Sequence, residues 1–382
     1  MKAKNLVHRR NFMRTAGAAA LTAGAYNRVS GANDRVILGQ IGTGGRGQTH
    51  LKILTHVEGV TMGAVCDLRD DRLEQAMNIC QEFKPEPKPY KDFRQMLEKE
   101  KLDGVIVATE VGNHAKCVIP VLEAGLHCFS EKPMDCTVEK VDQIVKAARK
   151  AKGIYQIGFQ RRYAPGFQAA VKAVHDGIVG DITFLQGQWQ WTWSVGGWVG
   201  DVDMSGGELV EQACHHMDVM QWVMKGQHPI QCAAMGNITR ETQTPPEHNS
   251  EDHSAVMYEF PGGVIYSYTH VFYSCEEFTG EKLWVYGQKG GVDLVQSVKY
   301  PRPNMGEKKQ LGEPAPSWEY GTPNELEAFL HHIRHNEKPL SNEETGRIST
   351  LISLMGRQAM YKRKTKTFEP TIVTWNELGS TT

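Results

Sequence analysis

Apolar and polar positions alternate along the chain in two different patterns, and the change falls near residue 160. Before that point, short β-branched apolar runs recur from about residue 34, with amphipathic stretches of helical periodicity between them. Strand–helix–strand units that repeat in this way are typical of a parallel, doubly wound sheet. The strands are predicted at 36–41, 60–66, 104–109, 127–130 and 155–158, and the helices at 48–57, 72–83, 93–98, 114–124 and 138–150.

After residue 160 the pattern is dominated by strands. One predicted strand alternates so that Trp189, Trp191 and Trp193 share a face, and Gly262-Gly263 between two others predicts a tight hairpin. We therefore expect a second, α+β domain with a large, mostly antiparallel open sheet. Its strands are predicted at 183–193, 234–239, 254–260, 264–272, 282–287 and 291–298, and its helices at 167–175, 209–224, 324–335 and 345–361.

These patterns predict a doubly wound domain over 33–157 and the α+β domain over 158–362, followed by a polar tail, 363–382, expected to be loosely held. The first 32 residues fit neither domain. They begin with several basic residues, and the segment R-R-N-F-M-R at 9–14 resembles a twin-arginine export signal before a mildly apolar run of small residues. We expect residues 1–32 to be a signal peptide and the protein to be periplasmic; a disordered basic tail is the alternative.

Composition narrows the range of partners. The 382 residues are enough for two domains, and 40% hydrophobic with 23% charged residues is ordinary for a globular protein. A formal net charge of −1 argues against nucleic acid or an anionic membrane as partner. Beyond the N-terminal region no apolar run approaches the ~20 residues that span a bilayer. The eight cysteines form no C-x-x-C pair, which favours free thiols.

A glycine motif, Gly42-x-Gly44-x-x-Gly47, lies between the first predicted strand and helix, which is the context of a dinucleotide-binding turn. Gly42 allows the tight turn, Gly44 the approach of a pyrophosphate, and Gly47 the packing of helix on strand. Asp67 ends the second strand 20 residues after Gly47, where an acidic side chain bonds the ribose hydroxyls of NAD. We predict NAD in preference to NADP because Asp67 would repel a 2′-phosphate; the nearby Arg69 would soften that preference. The alternative is a glycine-rich turn that binds nothing.

Lys132 follows the predicted strand 127–130 of the first domain, within the sequence S-E-K-P. Ligands of doubly wound sheets bind beyond the carboxyl ends of the strands. Pro133 keeps Lys132 out of helical geometry, so its ammonium is available at the strand tip. Lys132 is therefore a candidate for donating a hydrogen bond to a substrate oxygen; a solvated surface lysine is the alternative.

Glu211 and His215 lie four residues apart on a predicted helix, away from its apolar stripe. A carboxylate one turn from an imidazole can orient the ring and raise its basicity, which suits acid–base catalysis. An ordinary surface pair is the alternative. Cys214, His215 and His216 are not expected to bind a metal, because adjacent helical residues diverge by ~100° around the axis.

Together these motifs resemble those of the Gfo/Idh/MocA family of oxidoreductases, which includes glucose–fructose oxidoreductase and inositol dehydrogenase. The resemblance spans nearly all of 34–362 and rests on the glycine turn with Asp67, the E-K-P motif at 131–133, the sequence G-F-Q-R-R at 158–162 and the segment 206–218. It implies a Rossmann domain joined to an α+β domain whose open sheet commonly builds homodimers or homotetramers. It also implies hydride transfer to or from NAD and a small-molecule sugar, glycoside or polyol as substrate.

The resemblance assigns roles to single residues. The catalytic lysine of the family's E-K-P motif corresponds to Lys132 and the histidine of its D-x-x-x-H motif to His215, with Glu211 in place of the usual aspartate. The T-P sequence that the family usually has at the end of the strand predicted at 104–109 is replaced by Thr109-Glu110. We expect cofactor contacts from Gly42, Thr43, Gly44, Gly45, Arg46, Gly47, Asp67, Thr109, Asn113, His114, Glu131, Lys132 and Gln160. We expect substrate contacts from Arg162, Tyr163, Trp198 and His216, and no bound metal.

The tryptophans of the second domain suit either a sugar site or a subunit interface. We predict the interface for Trp189 and Trp191, because open sheets of the family pair there. We predict the substrate site for Trp193 and Trp198, which lie nearer to a loop.

Three functions remain open at this point. A dehydrogenase would use His215 to remove a hydroxyl proton and Lys132 to stabilise the oxygen, while hydride passes to NAD. A redox-neutral, NAD-dependent glycosidase or lyase would keep its cofactor tightly bound and return the hydride within one cycle. A carbohydrate-binding protein with a vestigial nucleotide fold is the third, and the intact glycine turn, Lys132 and His215 argue against it.

Overall fold

The computed structural model describes residues 35–192, 197–239, 247–317, 319–362, 367–368 and 371–382. The predicted signal peptide, 1–32, and Trp193 lie outside these residues.

The first sheet consists of six parallel strands, and each ends at the same edge. The strands are β1 (Val36–Ile41), β2 (Val60–Cys66), β3 (Lys88–Tyr90), β4 (Gly104–Val107), β5 (His127–Ser130) and β6 (Tyr155–Ile157). Their order in the sheet is β3-β2-β1-β4-β5-β6, the order of a dinucleotide-binding fold. The predicted doubly wound parallel sheet is thus confirmed, with β3 added as a strand too short to show in the pattern.

Helices cover both faces of this sheet because its strands bury apolar side chains on both sides. In β4, Val105 and Val107 join one core cluster, whereas Ile106, which points the other way, joins a second cluster. None of the described helices is both long and apolar enough to cross a membrane. The helices that follow β1 to β5 are α1 (Gly45–Leu54), α2 (Asp70–Cys80), α3 (Phe93–Lys99), α4 (His114–Glu123) and α5 (Val138–Lys150).

The second sheet has nine strands and is mostly antiparallel, as predicted. They are β7 (Ile182–Gln190), β8 (Gln231–Asn237), β9 (His253–Phe260), β10 (Val264–Val271), β11 (Gly280–Gly287), β12 (Gly290–Asp293), β13 (Val298–Pro301), β14 (Lys309–Gln310) and β17 (Ile372–Thr374). The sheet order is β14-β13-β12-β11-β7-β10-β9-β8-β17, and the central pair β7 and β10 is parallel. β15 (Tyr361–Lys362) and β16 (Thr367–Phe368) form a separate pair.

Helices cover one face of the second sheet, and the two layers approach closely. Tyr258 on β9 donates a hydrogen bond across the layers to the carbonyl oxygen of Ile352, at 3.0 Å. A Cβ atom on Gly356 would lie 2.5 Å from the Leu209 side chain, so glycine is required at this crossing. The remaining helices are α6 (Pro165–His175), α7 (Val202–Ser205), α8 (Glu208–Glu211), α9 (Cys214–Val223), α10 (Thr322–His335) and α11 (Glu343–Met360).

Two predicted elements are interrupted in the structure. The helix predicted at 209–224 is divided into α8 and α9, which are separated by Gln212 and Ala213. The strand predicted at 291–298 is divided into β12 and β13, because the Asp293 carboxylate accepts the backbone N–H of Gln296 and Ser297 adopts a left-handed φ of 52°. Apolar periodicity continues through both breaks, so the sequence pattern did not reveal them.

The polar tail, 363–382, is held more firmly than the sequence suggested. β17 adds an edge strand to the second sheet by pairing with β8. Beyond it, Asp142 on α5 accepts hydrogen bonds from the Thr381 backbone N–H at 2.6 Å and from the hydroxyls of Ser380, at 2.8 Å, and Thr382, at 2.7 Å. The expectation of a loose tail is therefore wrong for the residues from 371 onward, since a buried carboxylate supplies the partner that the tail itself lacks.

We predict that Asp142→Ala lowers the free energy of unfolding by about 1–3 kcal/mol, because it leaves these donors without an acceptor. Burial raises the pKa of Asp142, but these three hydrogen bonds and a fourth from the Thr381 hydroxyl, at 3.0 Å, outweigh this effect, and the net pKa lies below 3.8. A depressed carboxyl pKa stabilises the fold above the unfolded value, and this contribution is lost as pH falls through the folded value.

Urea titrations of wild type and variant at pH 7, 5 and 3 measure both effects. The difference in the free energy of unfolding between wild type and Asp142→Ala should be constant from pH 7 to 5 and smaller at pH 3. Asp176→Ala, which removes an exposed carboxylate paired with Lys172, is the matched control and should change stability little. An equal loss in both variants would contradict the role of Asp142.

Candidate active site

A cleft of about 570 Å³ lies at the carboxyl ends of β1, β2 and β4, and we call it the glycine cleft. Its volume falls in the usual range for small-molecule and cofactor sites. Seven of the predicted cofactor contacts line it: Gly42, Gly44, Gly45, Arg46, Asp67, Thr109 and Asn113. Basic side chains also line it, namely Arg69, Arg72, Lys91, Arg94 and Lys116.

Glycine is needed at different positions of the turn for different structural reasons. Gly42 has a φ of +89°, and a Cβ atom there would lie 2.5 Å from the carbonyl oxygen of Ala108. A Cβ atom on Gly47 would overlap the backbone of Gly42, so Gly47 allows packing and does not line the cleft. A Cβ atom on Gly45 would instead meet nothing within 4 Å, and one on Gly44 would contact only the flexible Arg72 side chain, at 3.4 Å. The space beside these two glycines lies over the N-terminus of α1, so the turn fits a bound pyrophosphate.

Asp67 is fixed at the edge of the glycine cleft by backbone donors. Its carboxylate accepts the Thr43 N–H at 2.8 Å and the Thr43 hydroxyl at 3.1 Å, and its other oxygen accepts the Arg69 N–H at 2.9 Å. Thr43 is fully buried, so it positions Asp67 and does not contact a ligand itself. The Arg69 guanidinium pairs with Asp71 at 2.5 Å.

A smaller cavity of about 180 Å³ adjoins the glycine cleft, and we call it the tryptophan cavity. The two share Arg46, Ala108, Thr109 and Trp198. The remaining wall combines residues of both sheets, so a ligand there would lie at the junction of the two domains. The other lining residues are Val111, Glu131, Lys132, Gln160, Trp189, Trp191, Glu211, Gln212, His215, His270 and Phe272.

Lys132 and Glu211 form a buried ion pair in the wall of the tryptophan cavity. The Lys132 ammonium lies 2.9 Å from Glu211 Oε1 and also donates to the Glu211 carbonyl oxygen at 2.8 Å. Burial lowers the pKa of Lys132, but the nearby negative charges, chiefly those of Glu211 and Glu131, and the hydrogen bond to Glu211 together outweigh this effect, and the net pKa lies above its usual value. The ammonium therefore stays charged and can donate a hydrogen bond to a ligand oxygen.

His215 lies in the same wall, but Glu211 does not orient it as predicted. The break between α8 and α9 directs the carboxylate to Lys132, and His215 Nδ1 has no hydrogen-bond partner within the described ranges. Burial, with the charges of Lys132 and Arg161, holds the pKa of His215 well below its usual value. The ring is thus neutral near pH 7 and able to accept a proton.

Arg46 and Glu131 link the first turn of α1 to the end of β5. Arg46 Nε donates to Glu131 at 2.6 Å, and His50 Nε2 lies 3.0 Å from the same oxygen. Burial raises the pKa of Glu131, but Arg46 and His50 outweigh it and hold the pKa well below its usual range. This pair fixes the strand tip that carries Lys132. Glu131 and Gln160 line the tryptophan cavity and not the glycine cleft.

Two predicted substrate contacts lie behind the cavity wall. Arg162 is buried and pairs with Asp218 through two nitrogens, the shortest contact being 2.8 Å. Tyr163 is buried as well, and its hydroxyl lies 3.1 Å from that of Ser341. Neither side chain lines the cavity, so the prediction of substrate contact is contradicted for both; each stabilises the packing behind the site.

His216 and His114 are also enclosed by protein. His216 is fully buried, with its ring 5.1 Å from that of Tyr268, and it does not line the cavity. His114 is fully buried, with ring nitrogens 2.8 Å from the Pro133 carbonyl oxygen and 3.1 Å from that of Thr109. His114 therefore supports the two loops that end β4 and β5, and the predicted contacts with substrate and cofactor are contradicted.

Three tryptophans of the second domain, Trp189, Trp191 and Trp198, line the tryptophan cavity. Trp189 is 5% exposed, and its ring centroid lies 6.0 Å from that of His215. The burial of Trp189 contradicts its predicted interface role, whereas that role stays a prediction for Trp191. Trp198 lines both spaces, in agreement with its predicted position at the site.

The sequence analysis missed five lining residues of the tryptophan cavity: Ala108, Val111, Gln212, His270 and Phe272. His270 had a usable signal, because it alternates with Tyr266 and Tyr268 on the buried face of β10. Its position opposite Trp189 depends on the register of β10 with β7, which the sequence does not reveal.

Comparison with known proteins supports this geometry. The description "Oxidoreductase family, NAD-binding Rossmann fold" matches residues 37–159, and "GFO/IDH/MocA C-terminal domain" matches 167–293. A myo-inositol 2-dehydrogenase from Thermotoga maritima is 23% identical over 346 residues, covering 88% of this chain and 99% of its own length. A glycosyl hydrolase family 109 protein from Shewanella baltica is 30% identical over 203 residues, covering 46% of this chain and 44% of its own.

One solved structure is the WlbA dehydrogenase of Chromobacterium violaceum in complex with NADH and UDP-GlcNAcA. Its TM-score is 0.71 at 21% sequence identity, covering 86% of this chain and 94% of that chain. At this identity the likeness supports the fold alone. The two family matches together cover more than half of the sequence, one on each domain, and the glycine cleft lies within the first. The chain therefore belongs to the Gfo/Idh/MocA family of NAD-binding oxidoreductases.

Proposed function

We propose that this oxidoreductase removes hydride from a carbon bearing a hydroxyl group in a sugar, glycoside or polyol, with NAD as acceptor. The observation that carries the proposal is the junction of the two spaces. Lys132 and His215 line the tryptophan cavity, which shares four residues with the glycine cleft. When bound, the nicotinamide accepts the hydride; the chain must supply the proton transfer and the orientation of the substrate.

Lys132 and His215 suit the two roles that this oxidation requires. The neutral imidazole of His215 can accept the hydroxyl proton as the C–H bond breaks. The charged ammonium of Lys132 can donate a hydrogen bond to the same oxygen and stabilise its developing negative charge. Glu211 acts on Lys132, not on His215, by holding the ammonium at 2.9 Å. Trp189, Trp191 and Trp198 offer flat apolar surfaces to the C–H faces of such a substrate.

A second candidate, a redox-neutral NAD-dependent glycosidase, is favoured by the likeness to the glycosyl hydrolase family 109 protein. Oxidation of one sugar carbon would acidify the neighbouring C–H, allow elimination of the glycosidic substituent, and be reversed before product release. The two candidates differ in net reduction of NAD. A dehydrogenase accumulates NADH in proportion to product, whereas the glycosidase releases an alcohol with no accumulation.

We further propose that the protein is exported by the twin-arginine route and forms homodimers or homotetramers. The basic segment at 9–14 supports the first proposal. Partly exposed apolar side chains on the outer face of the second sheet, such as Met235 and Met257, support the second. Detection of the mature chain in periplasmic extracts and light scattering of the purified protein test them.

We predict that Lys132→Ala and His215→Ala each reduce turnover by about 10²–10⁴, the range for a positioned acid–base group. The measurement is NADH formation with a panel of inositols, hexoses and glycosides. The double variant should lose far less than the product of the two losses, because the groups act on one oxygen. Lys172→Ala, which removes an exposed lysine paired with Asp176, is the matched control.

The pH profile adds a second test of the same pair. Because the pKa of His215 is lowered, kcat/KM should fall only when the pH drops well below 6.5. Lys132→Ala removes one charge that lowers this pKa, so the acidic limb should move to higher pH. Wild-type turnover in Lys132→Ala, or an unchanged acidic limb, would contradict the assignment.

We predict that Asp67 makes NAD the preferred cofactor. Asp67→Ser should weaken NAD binding and narrow the gap to NADP, because it removes one ribose acceptor and one charge that repels a 2′-phosphate. Titrations of both cofactors followed by tryptophan fluorescence measure the change. Asp176→Ser, which removes an exposed carboxylate that does not line the glycine cleft, controls for charge alone. Equal affinity of the wild type for both cofactors would contradict the prediction.

A further inference from the structure

His270 is a second histidine in the wall of the tryptophan cavity, and the proposed chemistry does not use it. It lies near the end of β10 with 1% of its surface exposed. The register of β10 with β7 places it opposite Trp189, and the two rings lie 6.1 Å apart. His215 lies at nearly the same distance from Trp189, at 6.0 Å. The cavity therefore presents two histidines around one indole ring.

A buried carboxylate holds one side of the His270 ring. Nδ1 lies 2.7 Å from Oε1 of Glu208, which has no exposed surface, and 3.0 Å from the Tyr268 hydroxyl. The other Glu208 oxygen accepts the Ser254 hydroxyl at 3.0 Å. A carboxylate beside Nδ1 favours the tautomer with its proton on that nitrogen. Nε2 is then left with a lone pair.

The lone pair on Nε2 accepts no hydrogen bond from the described residues of the protein. Nε2 of His270 is buried without a hydrogen-bond partner among the residues that the structure describes, and the ring lines the cavity. A buried acceptor that lacks a hydrogen-bond donor is unfavourable. A hydroxyl group in the cavity would supply that donor. The Glu208 carboxylate and the Tyr268 hydroxyl contact the opposite side of the ring, so the ring is oriented before a ligand arrives.

We propose that Nε2 of His270 accepts a hydrogen bond from a second hydroxyl group of the substrate, and that Glu208 is the positioning residue for this contact. The proposal rests on the proposed function, since it requires a polyhydroxylated substrate. Lys132 and His215 act on the hydroxyl that is oxidised, and His270 binds another hydroxyl of the same molecule. A site built around a substrate hydroxyl rejects analogues that lack it, so His270 determines which polyols are accepted.

The test compares the best substrate of the inositol, hexose and glycoside panel with its monodeoxy analogues, in wild type and in His270→Asn. The asparagine amide can replace Nδ1 as a donor to Glu208 but has no atom in the place of Nε2. We expect kcat/KM for the parent compound to fall about 10-fold, mainly through KM. In the wild type, one monodeoxy analogue should show a kcat/KM about 10-fold below that of the parent compound. In His270→Asn, the same analogue and the parent compound should have similar kcat/KM values.

Three controls separate this contact from a general loss of structure. His270→Gln restores a polar atom near Nε2 and should recover part of the loss. Glu208→Gln keeps an oxygen that accepts from Nδ1 and should retain the discrimination among deoxy analogues. His332→Asn changes a buried histidine that bonds Gln156 and does not line the cavity, so it should leave the analogue pattern unchanged.

The outcomes distinguish the two proposals. A wild type that turns over no member of the panel would overturn the proposed function, and this subsite with it. An active wild type whose deoxy penalties are the same in His270→Asn would overturn the subsite alone. If His270→Asn does not fold, the wild type still decides, because the subsite requires at least one analogue to lose about 10-fold in kcat/KM.

Discussion

The buried ion pair between Lys132 and Glu211 is the interaction on which the candidate active site depends. It joins the tip of β5, in the first sheet, to the end of α8, which packs with the second sheet. Removing one partner of such a pair leaves an uncompensated buried charge and costs about 3–5 kcal/mol. The pair therefore fixes the ammonium beside the cavity, and that charge in turn helps to keep His215 neutral.

Residues on both sides of Lys132 fix the surroundings of its charge. Arg46 and Glu131 fix the strand tip from the side of the glycine cleft, while Trp189 closes the other side against His215. The two spaces share a wall, so a ligand oxygen near Lys132 also lies near the carboxyl edge of the first sheet. Binding at this edge follows from the parallel topology, because all six strands end there.

Much of the fold and part of the site could be predicted from sequence because they depend on local patterns. Apolar periodicity located five of the six strands of the first sheet, and the spacing from Gly47 to Asp67 located the far edge of the glycine cleft. The partner of Glu211 could not be predicted, because a break of two residues between α8 and α9 changes the direction of the carboxylate.

The positions of the other residues could not be predicted, because they depend on strand register and burial. Trp189 and Trp191 share one face of the predicted strand, but the sequence does not show which face of β7 packs against the rest of the protein. Arg162 was predicted to contact the substrate because its segment, 158–162, resembles that of the family. It proved to be buried against Asp218, a partner 56 residues away that no local pattern identifies. Charged residues near a motif are therefore weaker indicators of a site than glycines and strand ends.

The most direct test of the account is the transfer of deuterium from substrate to cofactor. A panel substrate that carries deuterium on the carbon to be oxidised is incubated with the purified protein and NAD, and the nicotinamide is analysed by mass spectrometry and proton NMR. The account predicts one deuterium at C4 of the reduced ring per molecule of ketone formed, and a rate that collapses in Lys132→Ala. Reduced cofactor without deuterium, or deuterium released to water, would contradict hydride transfer at the junction of the glycine cleft and the tryptophan cavity.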